Sequence, residues 1–263
     1  MENPYIPFSS QIQDVIRHTD IEYTFRMSYK GDVKPGQFFE VSIPKYGEAP
    51  ISVSGIGPDT VDLTIRRVGT VTNQIFEHYE GHSLLMRGPY GNGFDIDLFR
   101  GKELVIVAGG TGLSPVKGIV DYFSEHPEEC ESLTLIAGFK SPKDVLFRQD
   151  FEKWRSSLKV IQTVDTASEG YEGPVGLVTG FIPDLPIQDV SQCVFITVGP
   201  PVMIKFTILE ILKRGVPEEN IWISHERKMC CGLGKCGHCK INDTYICLDG
   251  PVFHYSESKD LID

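Results

Sequence analysis

A chain of 263 residues is long enough for two domains and a smaller appendage, because domains commonly run to about 100–200 residues. Its composition, 41% hydrophobic and 23% charged, excludes the disordered and fibrous classes. The formal net charge of −11 argues against nucleic-acid binding, which needs a basic face, and favours protein partners with basic surfaces.

The lengths of the apolar runs, the first residues and the positions of the cysteines suggest the cellular setting of the protein. The longest apolar runs, Leu104–Ala108 and Val194–Val198, are far shorter than the roughly 18 residues of a membrane span, so none is predicted. The start, Met1–Tyr5, is acidic and contains proline, unlike a secretory signal, which predicts a cytoplasmic protein. Five of the seven cysteines crowd between Cys230 and Cys247, which indicates metal or redox use rather than disulfides.

The N-terminal part reads as short strands separated by turns. The predicted strands are Gln37–Ile43, Ile51–Ser54 and Val61–Ile65, and a helix is predicted over Thr72–His78. Short β-branched and aromatic runs bounded by Gly and Pro are typical of antiparallel sheets. We therefore predict an antiparallel β-barrel or sandwich here.

From Gly101 onward the pattern changes to alternating strands and helices. The predicted strands are Glu103–Ala108, Leu133–Phe139, Val160–Val164, Val194–Val198 and Ile221–Ser224. The predicted helices are Pro115–Phe123, Val145–Arg155 and Val202–Arg214. This alternation predicts a parallel sheet with helical crossovers, as in α/β nucleotide-binding domains.

The strongest motif is a set of four cysteines near the C-terminus, Cys231, Cys236, Cys239 and Cys247. The C-x4-C-x2-C spacing with a later fourth cysteine is typical of plant-type 2Fe-2S sites, although the last interval there is usually longer. A structural zinc site is the alternative. Cys230 is predicted not to be a ligand, and His238 stays open as a substitute ligand.

Two glycine-containing strand ends predict a dinucleotide site. Its predicted residues are Gly109, Gly110, Thr111, Gly112, Pro115, Gly199, Pro200 and Met203. Glycines allow close approach of the backbone to a pyrophosphate, and a helix N-terminus attracts its charge. Plain turns remain the alternative at both positions.

In the N-terminal part, two strings suggest a second anion site. Ala49–Ser54 reads as a strand, and Arg66–Thr72 combines two cations with a helix start, which suits a diphosphate. Each string alone also fits a structural role. Together the patterns divide the chain into residues 1–100 as a β-barrel, 101–224 as an α/β domain and 225–263 as a small metal module.

Taken in this order, the motifs resemble the ferredoxin–NADP reductase superfamily over nearly the whole chain. The resemblance implies FAD in the barrel and NADH as the substrate of the α/β domain. The FAD-binding residues that it implies are Pro50, Ile51, Ser52, Val53, Arg66, Val68, Gly69, Val71 and Thr72. Ala49 stands where many members have an arginine that binds the diphosphate, so Arg66 or Arg67 must supply more of the positive charge.

Within the superfamily, the Cys-rich C-terminus with Glu226–Met229 before it is most similar to the electron-transfer subunits of anaerobic sulfite reductases. That resemblance implies electron transfer from NADH through FAD and a 2Fe-2S cluster to a ferredoxin-like and a sirohaem subunit, without acid–base catalytic residues. Electron-transfer subunits of dihydroorotate dehydrogenase B and gamma subunits of cytosolic hydrogenases are the alternatives. A non-catalytic subunit that binds zinc or nucleotide is the alternative from another class.

The coenzyme preference is left open by residues that follow two predicted strands. Lys140, Ser141 and Lys143 could accept the 2′-phosphate of NADPH, whereas Asp165 would oppose it. The family resemblance favours NADH.

Overall fold

The computed structural model describes residues 3–79 and 81–261. The prediction that the chain carries no secretory signal depends partly on Met1 and Glu2, which lie outside the described residues. The chain forms two compact units: a barrel unit of Met1–Phe94 with His225–Pro251, and a sheet unit of Asp95–Ser224 with Val252–Asp263. The predicted three-way division at residues 100 and 224 stays a prediction.

The described N-terminal part of the barrel unit contains six antiparallel strands and one helix. They are β1 (Phe8–Arg17), β2 (Glu22–Ser28), β3 (Phe38–Ile43), β4 (Gly47–Gly57), β5 (Thr60–Arg66), α1 (Thr70–His78) and β6 (Ser83–Tyr90). The strands close in the order β1-β2-β5-β4-β3-β6. Closure leaves no open edge, and the inward side chains, such as Phe25, Phe39 and Leu63, form a fully buried core.

The sheet unit begins with alternating strands and helices. They are β7 (Glu103–Gly109), α2 (Leu113–Glu125), β8 (Ser132–Phe139), α3 (Arg148–Trp154), β9 (Lys159–Val164), β10 (Val194–Val198), α4 (Pro201–Lys213) and β11 (Ile221–Ser224). These strands pair in parallel in the order β11-β10-β7-β8-β9. Their apolar runs suit a sheet buried on both faces.

The cysteine-containing segment connects two strands, β11 and a later strand, that pair with each other in the sheet unit. After β11 it forms β12 (Lys240–Ile241), β13 (Thr244–Tyr245) and α5 (Ile246–Asp249), and the chain then returns as β14 (Val252–His254) and α6 (Tyr255–Ser258). β14 pairs antiparallel with β11. The predicted fold class is confirmed: an antiparallel barrel, a parallel-sheet domain and a C-terminal cysteine region.

Several details differ from the sequence-based expectations, among them the start of α3 and the presence of β1, β2, β6 and β14. The helix predicted over Val145–Arg155 begins only at Arg148, because Phe147 adopts a left-handed φ of 52° that a helix cannot include. Val145 is instead extended, and both Val145 and Leu146 are buried before the helix begins. Strand β14 was not predicted, since three residues carry too little periodicity. Among the described residues, no helix has the length and hydropathy needed to cross a membrane.

Candidate functional site

Four thiols of the cysteine-rich segment lie in two pairs. Cys231 and Cys236 are within hydrogen-bonding reach of each other, and so are Cys239 and Cys247. In the described ranges 3–79 and 81–261, no group of three or more His, Cys, Asp or Glu side chains is placed to hold a single ion. A 2Fe-2S cluster takes two thiolates on each iron, so the paired arrangement fits such a centre.

Backbone N–H groups point at the sulfurs of this arrangement. Leu233 and Lys235 donate to the Cys231 Sγ at 3.4 Å each, and Gly234 donates to the Cys247 Sγ at 3.2 Å. Burial would raise the pKa of the Cys231 thiol, but the N–H donors outweigh it and hold that pKa below its ordinary value. The loop therefore favours the thiolate form, which is the form that binds iron.

The adjacent Cys230 differs from the four paired cysteines. Its side chain is half-buried, and burial raises the pKa of its thiol above the ordinary value. Within the part of the chain that the structure describes, its thiol belongs to neither pair. We call residues 230–239 the cluster loop.

Two glycines let the cluster loop fold tightly. Gly232 has φ +70°, and a Cβ there would lie 2.5 Å from the ring of Tyr90 in β6. Gly234 has φ +65°, and a Cβ there would lie 2.5 Å from the Leu248 side chain. A side chain at either position would be strained and would push the loop away from its neighbours.

The strand predicted to lie along the flavin presents two of its four residues outward. In β4, Ile51 and Val53 point into the barrel core, whereas Pro50 and Ser52 are half-buried on the outer face. This alternation is the ordinary period of a strand. A flavin on the outer face could therefore meet the side chains of Pro50 and Ser52 but only the backbones of Ile51 and Val53.

The segment predicted to bind a diphosphate forms an accessible helix start. At Gly69 a Cβ would meet nothing within 4 Å, and α1 has no acidic residue in its first turn. The Thr72 hydroxyl accepts the backbone N–H groups of Val68 and Gly69 at 3.0 Å each, which fixes the turn. A free helix N-terminus of this kind suits the FAD diphosphate.

The two arginines beside this turn already face carboxylates. Arg66 Nε lies 3.1 Å from the Glu22 Oε1, and Arg67 Nη2 lies 3.3 Å from the Glu77 Oε1. Both guanidinium groups are more than 40% exposed, so a bound phosphate can share them. Val68 and Val71, also predicted here, offer backbone and aliphatic surface; Val68 is 70% exposed and Val71 half-buried.

The outer face of the barrel next to Pro50 carries a buried carboxyl group that the sequence analysis missed. Glu40 of β3 lies opposite Pro50 on one side and Arg87 on the other. It is fully buried, and among the described residues neither carboxylate oxygen has a hydrogen-bond partner. Burial raises its pKa to about 7, and the nearby Arg87 offsets only part of that effect. A single Glu inside a strand gives no sequence signal for such a position.

We expect this carboxyl group to make folding pH-dependent. The pKa of Glu40 in the folded state lies above its value in the unfolded chain. The carboxyl group therefore contributes to stability at low pH, and this contribution is lost as pH rises through about 7. Between pH 5 and 8 it should lower the unfolding free energy by about 2–3 kcal/mol. Glu40→Gln should flatten that part of the pH profile in urea titrations of the holoprotein. The exposed Glu169→Gln is the control, and parallel profiles for wild type and Glu40→Gln would contradict the expectation.

In the sheet unit, the two predicted nucleotide loops pack against each other. β7 and β10 are adjacent and parallel, with Ala108 opposite Val198, so both loops leave the same sheet edge. A Cβ at Gly112 would lie 2.6 Å from the Val198 carbonyl oxygen, and one at Gly109 would lie 2.4 Å from the Met203 Sδ. These glycines are needed for the contact between the loops. Nucleotides bind at such carboxyl edges of parallel sheets.

Gly110 is different, because it faces open space. It has φ +56°, and a Cβ there would meet nothing within 4 Å. Thr111 follows in the same 3₁₀ turn, and Pro115 lies in the first turn of α2, which has no acidic residue there. This open backbone before a helix start fits a pyrophosphate. Gly199 and Pro200 form the turn before α4, with Gly199 at φ +159°.

The residues that bear on coenzyme choice also lie at this edge. The Asp165 and Thr166 N–H groups donate to the carbonyls of Phe139 and Lys140 at 2.8 and 3.0 Å, which holds the ends of β8 and β9 together. Burial raises the pKa of Asp165, and Lys140 lowers it. The Ser141 hydroxyl donates to Asp144 at 2.6 Å.

Two parts of the chain match known protein families. Residues 106–208 match the family described as oxidoreductase NAD-binding domain. Residues 226–258 match the iron–sulfur cluster binding domain of dihydroorotate dehydrogenase B. The two matches coincide with the nucleotide loops and with the four paired cysteines.

Curated relatives cover almost the whole chain. Sulfhydrogenase 2 subunit gamma of Pyrococcus furiosus is 37% identical over 96% of this chain and 96% of its own length. A probable dihydroorotate dehydrogenase B (NAD(+)) electron transfer subunit of the same organism is 33% identical, over 87% of this chain and 83% of that protein. The NADH-dependent reduced ferredoxin–NADP oxidoreductase has a chain with the same fold, at a TM-score of 0.79 and 24% identity, over 94% of this chain and 88% of that one.

Proposed function

Since this chain belongs to the ferredoxin–NADP reductase-like family of NAD-dependent electron-transfer subunits, we propose that it passes electrons from NADH through FAD and a 2Fe-2S cluster to a partner subunit. The observation that carries the proposal is the grouping of four thiols in two pairs, within the same barrel unit as strand β4. We expect this electron transfer to take place in the cytoplasm, where free thiols persist.

The chain's own residues position the cofactors. When bound, FAD accepts a hydride from NADH and gives up single electrons, which an iron–sulfur cluster can carry. The first turn of α1 would hold the FAD diphosphate, and the outer face of β4 would carry the ring. The loops at Gly109–Gly112 and Gly199–Met203 would hold the dinucleotide, and Cys231, Cys236, Cys239 and Cys247 would hold the cluster.

For the partner, we propose the catalytic subunits of a hydrogenase-type complex. Two hydrogenase gamma subunits of Pyrococcus furiosus, at 37% and 34% identity, align over 96% and 97% of this chain. Dihydroorotate dehydrogenase B subunits align at 29–35% identity over 87–96% of it, but over less of their own length, 82–90% against 96% and 92% for the two hydrogenase subunits. The sulfite reductase partners favoured by the sequence analysis, a ferredoxin-like and a sirohaem subunit, have less support than these alternatives.

Anaerobic purification tests this proposal. The tagged chain should carry flavin and a 2Fe-2S cluster in its visible spectrum and should co-purify with a hydrogenase subunit. Recovery with dihydroorotate dehydrogenase or a sirohaem protein would change the partner but keep the electron-transfer role. A colourless protein with stoichiometric zinc would overturn the role itself.

We also expect Asp165 to select against NADPH. Asp165→Asn removes a negative charge beside Lys140, so a 2′-phosphate should be tolerated better. The ratio of kcat/KM for NADPH over NADH should rise by roughly tenfold, which corresponds to about 1.4 kcal/mol. Flavin reduction by each coenzyme measures the ratio, with the exposed Asp184→Asn as the control. An unchanged ratio would mean that Asp165 does not face the adenosine ribose.

A further inference from the structure

A buried arginine fastens the cluster loop to the barrel. Arg87 of β6 is only 4% exposed. Its Nη1 donates to the Cys231 carbonyl at 2.5 Å, and its Nη2 donates to the Cys230 carbonyl at 2.6 Å. The arginine therefore holds the backbone of the first paired cysteine, not its sulfur.

The same guanidinium is fixed on its other side to the proposed flavin strand. Arg87 Nε donates to the Glu48 Oε1 at 3.0 Å, and Nη2 donates to Oε2 at 2.5 Å. Glu48 lies in β4, two residues before Pro50, and the Tyr90 hydroxyl adds a contact at 3.2 Å. Hydrogen bonds to Glu48 and Tyr90 more than offset burial and raise the pKa of Arg87, so it stays charged.

The bridge is short and rigid because a planar guanidinium makes several bonds in one fixed geometry. Glu40, between Arg87 and Pro50 on the same face, is buried and has no hydrogen-bond partner in the described residues. The guanidinium is thus the group that spans this face, from the β4 carboxylate to the cluster loop carbonyls.

We infer that Arg87 is a positioning residue for the transfer of single electrons from flavin to cluster, an inference that rests on the proposed function. In each such step the reduced flavin loses one electron and one ferric iron becomes ferrous. Arg87 fixes the cluster loop relative to β4, and electron transfer slows steeply as the carriers separate. Its charge also lies beside Cys231, where it favours the reduced, more negative cluster.

Two variants separate position from charge. Arg87→Gln removes both the positive charge and the hydrogen bonds that hold the loop. Arg87→Lys keeps a positive charge, but its single ammonium group cannot hydrogen-bond to Glu48 and to both carbonyls in the geometry of the guanidinium. Arg26→Gln is the matched control, because Arg26 forms a bidentate pair with Asp62 on β2 and β5 of the same barrel. Each holoprotein would be examined for flavin, iron and sulfide content, the EPR spectrum and potential of the reduced cluster, and the rate of flavin-to-cluster transfer by stopped flow.

We expect Arg87→Gln to retain its cofactors, to slow flavin-to-cluster transfer by about tenfold or more and to lower the cluster potential. Arg87→Lys should restore most of the potential but little of the rate, and Arg26→Gln should resemble wild type. Unchanged transfer in both Arg87 variants, or loss of the cluster from both, would overturn the inference. A wild-type protein without flavin or cluster would instead overturn the proposed function.

Discussion

Replacing Cys236 with serine is expected to remove the iron–sulfur cluster and leave the fold intact. Cys236 is exposed, so the substitution disturbs little packing, but it removes one member of the Cys231 pair. The N–H of His238 contributes most to holding the pKa of Cys236 below its ordinary value, which marks it as a ready thiolate. Iron and acid-labile sulfide per chain should fall to less than about a tenth of the wild-type content.

Cys230→Ser is the matched control for this experiment. It changes the neighbouring thiol, which is half-buried and whose pKa is raised by burial. We expect full iron and sulfide content in this variant. Full content in Cys236→Ser, or loss in Cys230→Ser alone, would show that the ligand set has been assigned wrongly.

The second large effect is expected at Gly110. Gly110→Val should abolish most NADH-driven flavin reduction while FAD stays bound, because the new side chain fills the open side of the loop where the pyrophosphate would approach. A displacement of the dinucleotide by about 1 Å can cost roughly 100-fold in kcat/KM. The measurements are flavin content and the rate of flavin reduction by NADH.

Gly101→Val separates this effect from backbone strain. Gly101 has φ +67°, close to the +56° of Gly110, and a Cβ there also meets nothing within 4 Å. Both variants should therefore lose similar stability, roughly 1–2 kcal/mol. Only Gly110→Val should lose NADH reduction. Equal losses in both variants would attribute the defect to strain, and unchanged kinetics in Gly110→Val would place the dinucleotide elsewhere.

The parts of the candidate site that could be predicted from the sequence are those whose residues lie close together along the chain. The cluster cysteines lie within 17 residues, and strand, glycine turn and helix follow each other directly at Gly109–Gly112. Spacing alone is informative there, because one loop supplies the geometry. The barrel and the parallel sheet followed from short strand runs and from alternation in the same way.

Arg87 and Glu40 could not be found by such reasoning. Arg87 meets the Cys231 carbonyl across 144 positions of sequence, and Glu40 meets Arg87 only through the pairing of β3 with β6. Strand register places them, and register depends on the closed barrel as a whole. The late start of α3 has a similar cause: the buried packing of Phe147 overrides the local preference for helix.

The proposed function is tested most directly by measuring the order in which the flavin, the cluster and the partner subunit are reduced. Stopped-flow mixing of NADH with wild type and with the cluster-deficient Cys236→Ser protein would follow flavin absorbance, and a second assay would follow reduction of the co-purified partner subunit. We predict that NADH reduces the flavin at a similar rate in both proteins and that only wild type reduces the partner. Full partner reduction by the cluster-deficient protein, or a wild-type cluster that fills with electrons before the flavin does, would contradict the account.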